Sequence, residues 1–404
     1  MDFRTAVGAE AKALWSGGKG MSLVVVAVGW GLLVGTRMIY PVILPHLQET
    51  YGLSLAVAGL LMTVLWVFGS IGQLPGGVLA DRYDERWLLV GSTTVVALAL
   101  VFVISSSSAV VLFAATALWG LGHSFYPIAR ITLLADIYAD RLGSALGLTM
   151  GTGDIGQTVL PPIAAVLTGA LAWQAGLGFV APLLIVVGLL IAFVVPTREA
   201  AGNGDTQSLR EILGVFGVLR EPTMAFMALI LFLYIMIWQS FTAFYPTYLT
   251  TMKGLSPAVA SLLFGFFFAM GVMIKPLAGA AYDRVGMRTS LVGVLVPSIG
   301  GLALLPLVDS VWLLLVLTAA ISIMLGSGAI TQSFLAEMFP EGTQGTGLGV
   351  IRMSTSTLGA GGPVLFGVIA DYGFFDEGYF MLAAIMVVVV MLTLVIPQQD
   401  SRGQ

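Results

Sequence analysis

No cysteine occurs in the 404 residues, which excludes disulfides, thiol catalysis and cysteine-held metals. Charge is scarce as well. Asp, Glu, Lys and Arg make up 9% of the chain, against about 25% in a soluble domain. The mean hydropathy is +1.00 and 58% of residues are hydrophobic. Such a chain cannot cover its surface with polar groups in water, and it reads as an integral membrane protein. The two histidines, His46 and His123, are too few for a usual zinc site, and His123 on its own reads as a packed or hydrogen-bonded residue. No G-x-x-x-x-G-K-[ST] is present, so ATP is not the energy source within this chain. Neither G-x-S-x-G nor H-E-x-x-H occurs. No enzyme activity, cofactor, metal or nucleic-acid partner is therefore expected. The net charge of −4 says little about partners.

What is abundant is apolar sequence in lengths near the roughly 20 residues that cross a bilayer as a helix. Twelve segments stand out: Met21–Pro45, Leu55–Ala80, Trp87–Ile104, Val110–Ala135, Leu142–Thr168, Gln174–Val195, Pro222–Leu249, Pro257–Tyr282, Thr289–Leu307, Val311–Ala336, Gly345–Ala370 and Tyr379–Ile396. The division is a bundle in residues 1–196, a linker in 197–221 and a second bundle in 222–404. The linker opens as a loop, "REAAGNGDTQ", and continues as "SLREILGVFGVLREP", an amphipathic stretch suited to a membrane surface. With both termini inside, twelve of the 17 basic residues fall on the inner side and only Lys253 in an outer loop. The positive-inside rule thus puts the termini and linker in the cytoplasm.

The chain repeats itself. "GGVLADRYDER" (Gly76–Arg86) is echoed by "AGAAYDRVGMR" (Ala278–Arg288). Gly77, Asp81 and Arg82 correspond to Gly279, Asp283 and Arg284 at an offset of 202. "GLSLAVAGLL" from Gly52 matches "GLSPAVASLL" from Gly254 at the same offset, as do Gly143, Gly147 and Pro161 with Gly345, Gly349 and Pro363. Two parallel sets of six helices follow, a plan used by secondary transporters.

On these residues the chain resembles the major facilitator superfamily over nearly its whole length. The family signature between helices 2 and 3 is G-x-L-A-D-R-x-G-R-K. Gly77, Leu79, Ala80, Asp81, Arg82 and Arg86 fit it, while Asp84 and Glu85 depart from it. Gly279, Asp283, Arg284, Gly286 and Arg288 fit in the second half. The resemblance implies an all-α membrane fold of 12 transmembrane helices in two pseudo-symmetric six-helix bundles, working by alternating access with the substrate between the halves. A channel is the less suited alternative for such a repeat. The same resemblance implies a cytoplasmic latch. Gly77 and Gly279 would admit a neighbouring helix, and Asp81 and Asp283 would face helix N-termini. Arg82, Arg86, Arg284 and Arg288 would pair with Asp136 and Glu337. Topology alone would also place these charges there. Gly143, Gly147 and Gly151 step by four along helix 5 and suit close helix contacts, and Gly362–Pro363 can bend helix 11. The family's drug antiporters carry Gly-Pro in helix 5, where this chain has Leu160–Pro161–Pro162.

Five ionisable residues lie within spans: Arg37, Arg130, Asp154, Lys275 and Arg352. A mid-bilayer charge costs at least roughly 2.5–3.5 kcal/mol, so each marks a functional position. At about 1.5 Å per residue they lie roughly 9 Å (Arg130) to 24 Å (Arg37) from the inner surface. Four cations against one acid leave positive charge that a bound anion would balance, and arginine suits a carboxylate or phosphate. Arg37 and Arg352 are the foremost candidate contacts. Arg130 and Lys275 join them, although either could instead snorkel or serve the gate. Asp154 is the candidate proton carrier, or else a fixed partner of Arg37 or Arg130. Tyr40, Tyr126, Trp238, Gln239 and Tyr245 are candidate cavity walls, with core packing the alternative for each aromatic. The expected function is proton-coupled transport of a small organic anion by a monomer in the plasma membrane. The alternative is proton-driven export of drugs or amphipathic compounds.

Overall fold

The computed structural model describes residues 14–15, 19–73, 83–197, 221–339 and 344–396, and no strand occurs among them. The first half holds α1 (Gly20–Tyr51), α2 (Leu55–Ile71), α3 (Glu85–Ile104), α4 (Ala109–Ile137), α5 (Leu142–Ala170) and α6 (Trp173–Val194). The second half begins with α7 (Pro222–Thr251). One continuous stretch, Pro257–Leu304, is broken at Gly286, where φ is 76° and ψ 173°, dividing it into α8 (257–285) and α9 (287–304). Then come α10 (Val311–Met338), α11 (Gln344–Gly359 and Gly362–Asp371) and α12 (Phe375–Val395). Among the described residues the fold is thus all-helical, with twelve helices in two sets of six. Helices are what lipid demands, because they satisfy their own backbone polar groups.

The repeat is written into the turns. Gly52 and Gly254, 202 residues apart, end α1 and α7 with φ of 65° and 64°, the left-handed region that only glycine enters freely. Two residues on, Ser54 accepts a hydrogen bond from the Val57 N–H at 3.3 Å, and Ser256 one from Val259 at 3.4 Å. Both are N-caps of the next helix. The stop at Gly52 carries α1 six residues beyond the expected end at Pro45, which stays inside the helix. α12 begins at Phe375 rather than Tyr379, with Asp376 and Glu377 in its first turn, where acids suit the positive helix end. α11 breaks at Gly361, just before Pro363, as the sequence suggests. The amphipathic linker and the end of the expected second span lie outside the described residues.

By internal contacts the chain forms two compact units, Met1–Ile43 with Val67–Thr206, and Leu44–Trp66 with Gln207–Gln404. Residues 44–66 therefore join the second unit instead of following sequence order. The reason is local to that unit. The Asp371 carboxylate, at the end of α11, accepts the Leu55 and Ala56 N–H groups at 2.6 and 2.8 Å, capping α2 from another helix. The Thr63 hydroxyl donates to the Ala360 carbonyl at 2.5 Å. A Cβ on Gly59 would strike the Pro363 carbonyl, and one on Gly367 would strike that of Leu55. Asp371→Ala should therefore lower stability by about 1 kcal/mol, the usual worth of a cap, read as a reduced thermal midpoint in detergent.

Within the first unit, α1 and α5 meet backbone to backbone. A Cβ on Gly35 would strike the Gly156 carbonyl, one on Gly156 the Gly31 carbonyl, and one on Gly31 the Thr152 carbonyl. The stripe expected to serve this purpose, Gly143, Gly147 and Gly151, has nothing within 4 Å of an added Cβ among the described residues. The close contact is made further along α5, where Gly156 follows Asp154.

Candidate functional site

On α4, Trp119, His123, Tyr126 and Arg130 are spaced by four, three and four residues, so they share one face. On α1, Trp30 and Arg37 lie two turns apart on the face that meets it. The Tyr126 hydroxyl donates to the Val26 carbonyl at 2.8 Å, tying the two helices together. Arg130 is 5% exposed. Its guanidinium carbon lies 4.2 Å from the Trp30 ring centre, and one terminal nitrogen donates to the Thr149 hydroxyl on α5 at 3.0 Å. Its Nε is enclosed with no hydrogen-bond partner. Leaving such a donor unused in a dry interior is costly.

His123 is also 5% exposed. Its ring lies 5.2 Å from that of Trp119, nearly parallel, and 5.9 Å from that of Trp30. Its Nε2 is enclosed without a partner. Asp154 is buried on α5, and the Gln157 amide donates to its Oδ1 at 3.3 Å. The structure thus joins Arg130 to Trp30 and Thr149, and His123 to Trp30 and Trp119, while Arg37, Asp154 and Gln157 lie in the same unit. The four-three-four stripe on α4 was visible in the sequence and is the signal that would have found His123. Tyr40 and Tyr126 are fully enclosed. Tyr40 packs against the Trp119 ring at 6.1 Å, so both tyrosines sit in the packed interior of the first unit.

In the second unit, Arg352 lies eight residues into α11, and it donates to the Gln332 side-chain oxygen on α10 at 3.4 Å. Trp238 meets Trp66 edge to face at 5.1 Å. Gln239 is buried with its Oε1 unpartnered. Lys275 is half-buried on α8. Tyr245 corrects the expectation of a cavity wall. It is fully enclosed, its hydroxyl pairs with that of Thr318, and its ring stacks on Phe241 at 4.6 Å. It is core packing.

Of the expected latch, Gly77, Asp81 and Arg82 lie outside the described residues. Arg86 donates to the Ala192 carbonyl near the end of α6 and lies over Trp87 at 5.2 Å, so it caps a helix C-terminus instead of meeting Asp136. Glu337 accepts the Tyr282 hydroxyl at 2.7 Å. Tyr282, not Arg284 or Arg288, is thus the partner the structure gives it. Among the described residues nothing lies within 4 Å of a Cβ added at Gly279. Asp283 and Arg284 are exposed, and Asp136 is exposed near the end of α4. No cluster of three or more potential metal ligands occurs among the described residues.

Twelve helices in two repeated sets, with arginines inside apolar spans, define a multi-pass membrane protein of the transporter kind. The family model described as Major Facilitator Superfamily matches residues 21–296 and 227–404, and the chain belongs to that superfamily. The relatives differ in cargo. A probable nitrate transporter, NarT, of Staphylococcus epidermidis is 21% identical over 375 residues, covering 93% of this chain and 94% of its own. A hexuronate transporter of Bacillus subtilis is 25% identical over 87% of this chain and 88% of its own. The multidrug resistance protein MdtG of Citrobacter koseri is 28% identical over 64% of each. Among solved structures, the nucleoside transporter NupG superposes with a TM-score of 0.79 at 15% identity, over 94% of this chain and 99% of its own. A bacterial homologue of the human lysosomal transporter Spinster, in an inward-facing, occupied conformation, gives 0.80 at 14%, over 93% and 96%. These two likenesses establish the fold.

Proposed function

We propose that the protein is a secondary transporter that moves a small organic anion bearing a carboxylate across the plasma membrane by alternating access, driven by protons. The carrying observation is Arg130, enclosed among apolar helices over the Trp30 ring with an unused donor. A planar guanidinium held over an indole is already oriented for a carboxylate. Its burial makes little sense without a ligand to balance the charge. The nitrate and hexuronate carriers among the relatives support an anionic cargo. The basic residues flanking the spans support cytoplasmic termini, and the exposure of Asp283 and Arg284 is compatible with a latch. Asp154, buried on α5, is the group we assign to the coupled proton.

Export of drugs or amphipathic compounds is the second reading, favoured by the likeness to MdtG. A thermal-shift screen of the purified protein separates the two. D-glucuronate, nitrate and phosphate are compared with tetraphenylphosphonium. The expected result is stabilisation by the carboxylate and none by the cation. Stabilisation by the cation alone would replace the anion reading with the exporter one.

A further inference from the structure

We propose, on the anion reading above, that Gly153 on α5 and Trp30 on α1 position Arg130 for its ligand: the glycine seats the indole, and the indole sets the plane of the guanidinium. Trp30 is half-buried and meets three residues of the α4 stripe at once. Its ring centre lies 4.2 Å from the Arg130 guanidinium carbon. It lies 6.3 Å from the Tyr126 ring, 19° from parallel, and 5.9 Å from that of His123. A guanidinium is attracted to the face of an indole, so whatever fixes the indole also fixes the arginine.

One turn of α5 supplies both halves of this clamp. Thr149 and Gly153 are four residues apart and share a helix face. The Thr149 hydroxyl accepts from one terminal nitrogen of Arg130 at 3.0 Å. Gly153 is buried. A Cβ built on it would lie 2.7 Å from Trp30 Nε1 and 3.0 Å from its Cδ1, and its three nearest neighbours would all be atoms of that ring. The task differs from that of Gly31, Gly35 and Gly156, whose added Cβ atoms would strike backbone carbonyls. Backbone at a helix crossing has nowhere to go, whereas an indole can turn about its side-chain torsions. Alanine at 153 is therefore taken up by rotation of Trp30, and the ring leaves the guanidinium. With its plane set by the indole and one corner held by Thr149, the fork offers its remaining donors in one direction. A planar carboxylate meets a fork so turned with both oxygens, and a misturned fork with one.

The test measures D-glucuronate affinity by calorimetry on the full chain, with uptake into liposomes alongside. Gly153→Ala should fold normally and weaken binding about tenfold, the scale of one desolvated cation–indole contact. The KM of uptake should rise by the same factor with little change in maximal rate, a split that general damage to the fold would not give. Trp30→Leu should lose at least as much, and Trp30→Phe less, because phenylalanine keeps a face of weaker attraction. In an Arg130→Gln background, Gly153→Ala should cost nothing further, since the group it positions has gone. Unchanged affinity in Gly153→Ala or Trp30→Leu, or a full tenfold loss on top of Arg130→Gln, overturns the clamp and leaves the anion reading standing. A Gly153→Ala protein that does not fold overturns it too, because position 153 would then serve packing and not a movable ring. Failure of the unaltered protein to bind any anion overturns the anion reading and the clamp with it.

Discussion

Arg130→Gln is expected to lower both gradient-driven uptake and labelled-for-unlabelled exchange of the anion by about 100-fold, since truncating one partner of a buried charge pair costs roughly 2–5 kcal/mol. Both activities fall because the anion loses its charge partner in every state of the cycle, whereas loss of a coupling group alone would spare exchange. Arg130→Lys should rescue little. An ammonium cannot lie flat over Trp30, hold Thr149 and still present a second donor edge. Uptake into liposomes, with thermal midpoint and gel filtration as folding controls, reads the result. A well-folded Arg130→Gln that transports glucuronate at the original rate would remove Arg130 from the site.

Gly156→Val should prevent normal folding. A single added Cβ at Gly156 already strikes the Gly31 carbonyl, and neither backbone can retreat as a flexible side-chain end could. Overpacking typically costs about 1–3 kcal/mol and occasionally more, and here the whole α1–α5 crossing would have to open. The expected readout is loss of monodisperse protein on gel filtration. Gly147→Ala is the matched control: with nothing among the described residues within 4 Å of its Cβ, it should be neutral or slightly stabilising, because alanine is the better helix former. Equal behaviour of the two variants would contradict the α1–α5 packing.

That contrast marks what could be read from the chain. Spans, repeat and superfamily were legible because each is written in one dimension: apolar length, fixed offset and a doubled phrase. Gly52 and Gly254 also follow from the repeat, and both close their helices as matched turns. Partner choice was not legible. Nothing in a four-residue glycine period says which helix lies opposite, so Gly143, Gly147 and Gly151 were indistinguishable from Gly31, Gly35 and Gly156. Tyr245 has the same helical spacing as a cavity wall would, and only its pairing with Thr318 reveals a core residue. The charges were found because their cost in lipid singles them out. His123 escaped because a lone histidine carries no such cost when neutral, although the stripe it shares with Arg130 was there to be counted.

The cap that Asp371 places on α2 has a genetic consequence. The residue 202 positions before Asp371 is Gly169, and the residue 202 after Leu55 is Pro257. The second copy has therefore dispensed with the N–H that the first copy must satisfy, since proline at the first position of a helix has none to offer. The two halves are not interchangeable parts. A selection begun from Asp371→Ala should yield Leu55→Pro as an intragenic suppressor, one that restores the balance by deleting a donor instead of replacing the acceptor. The rescue would be partial, because Ala56 also donates to that carboxylate and would still look for an oxygen.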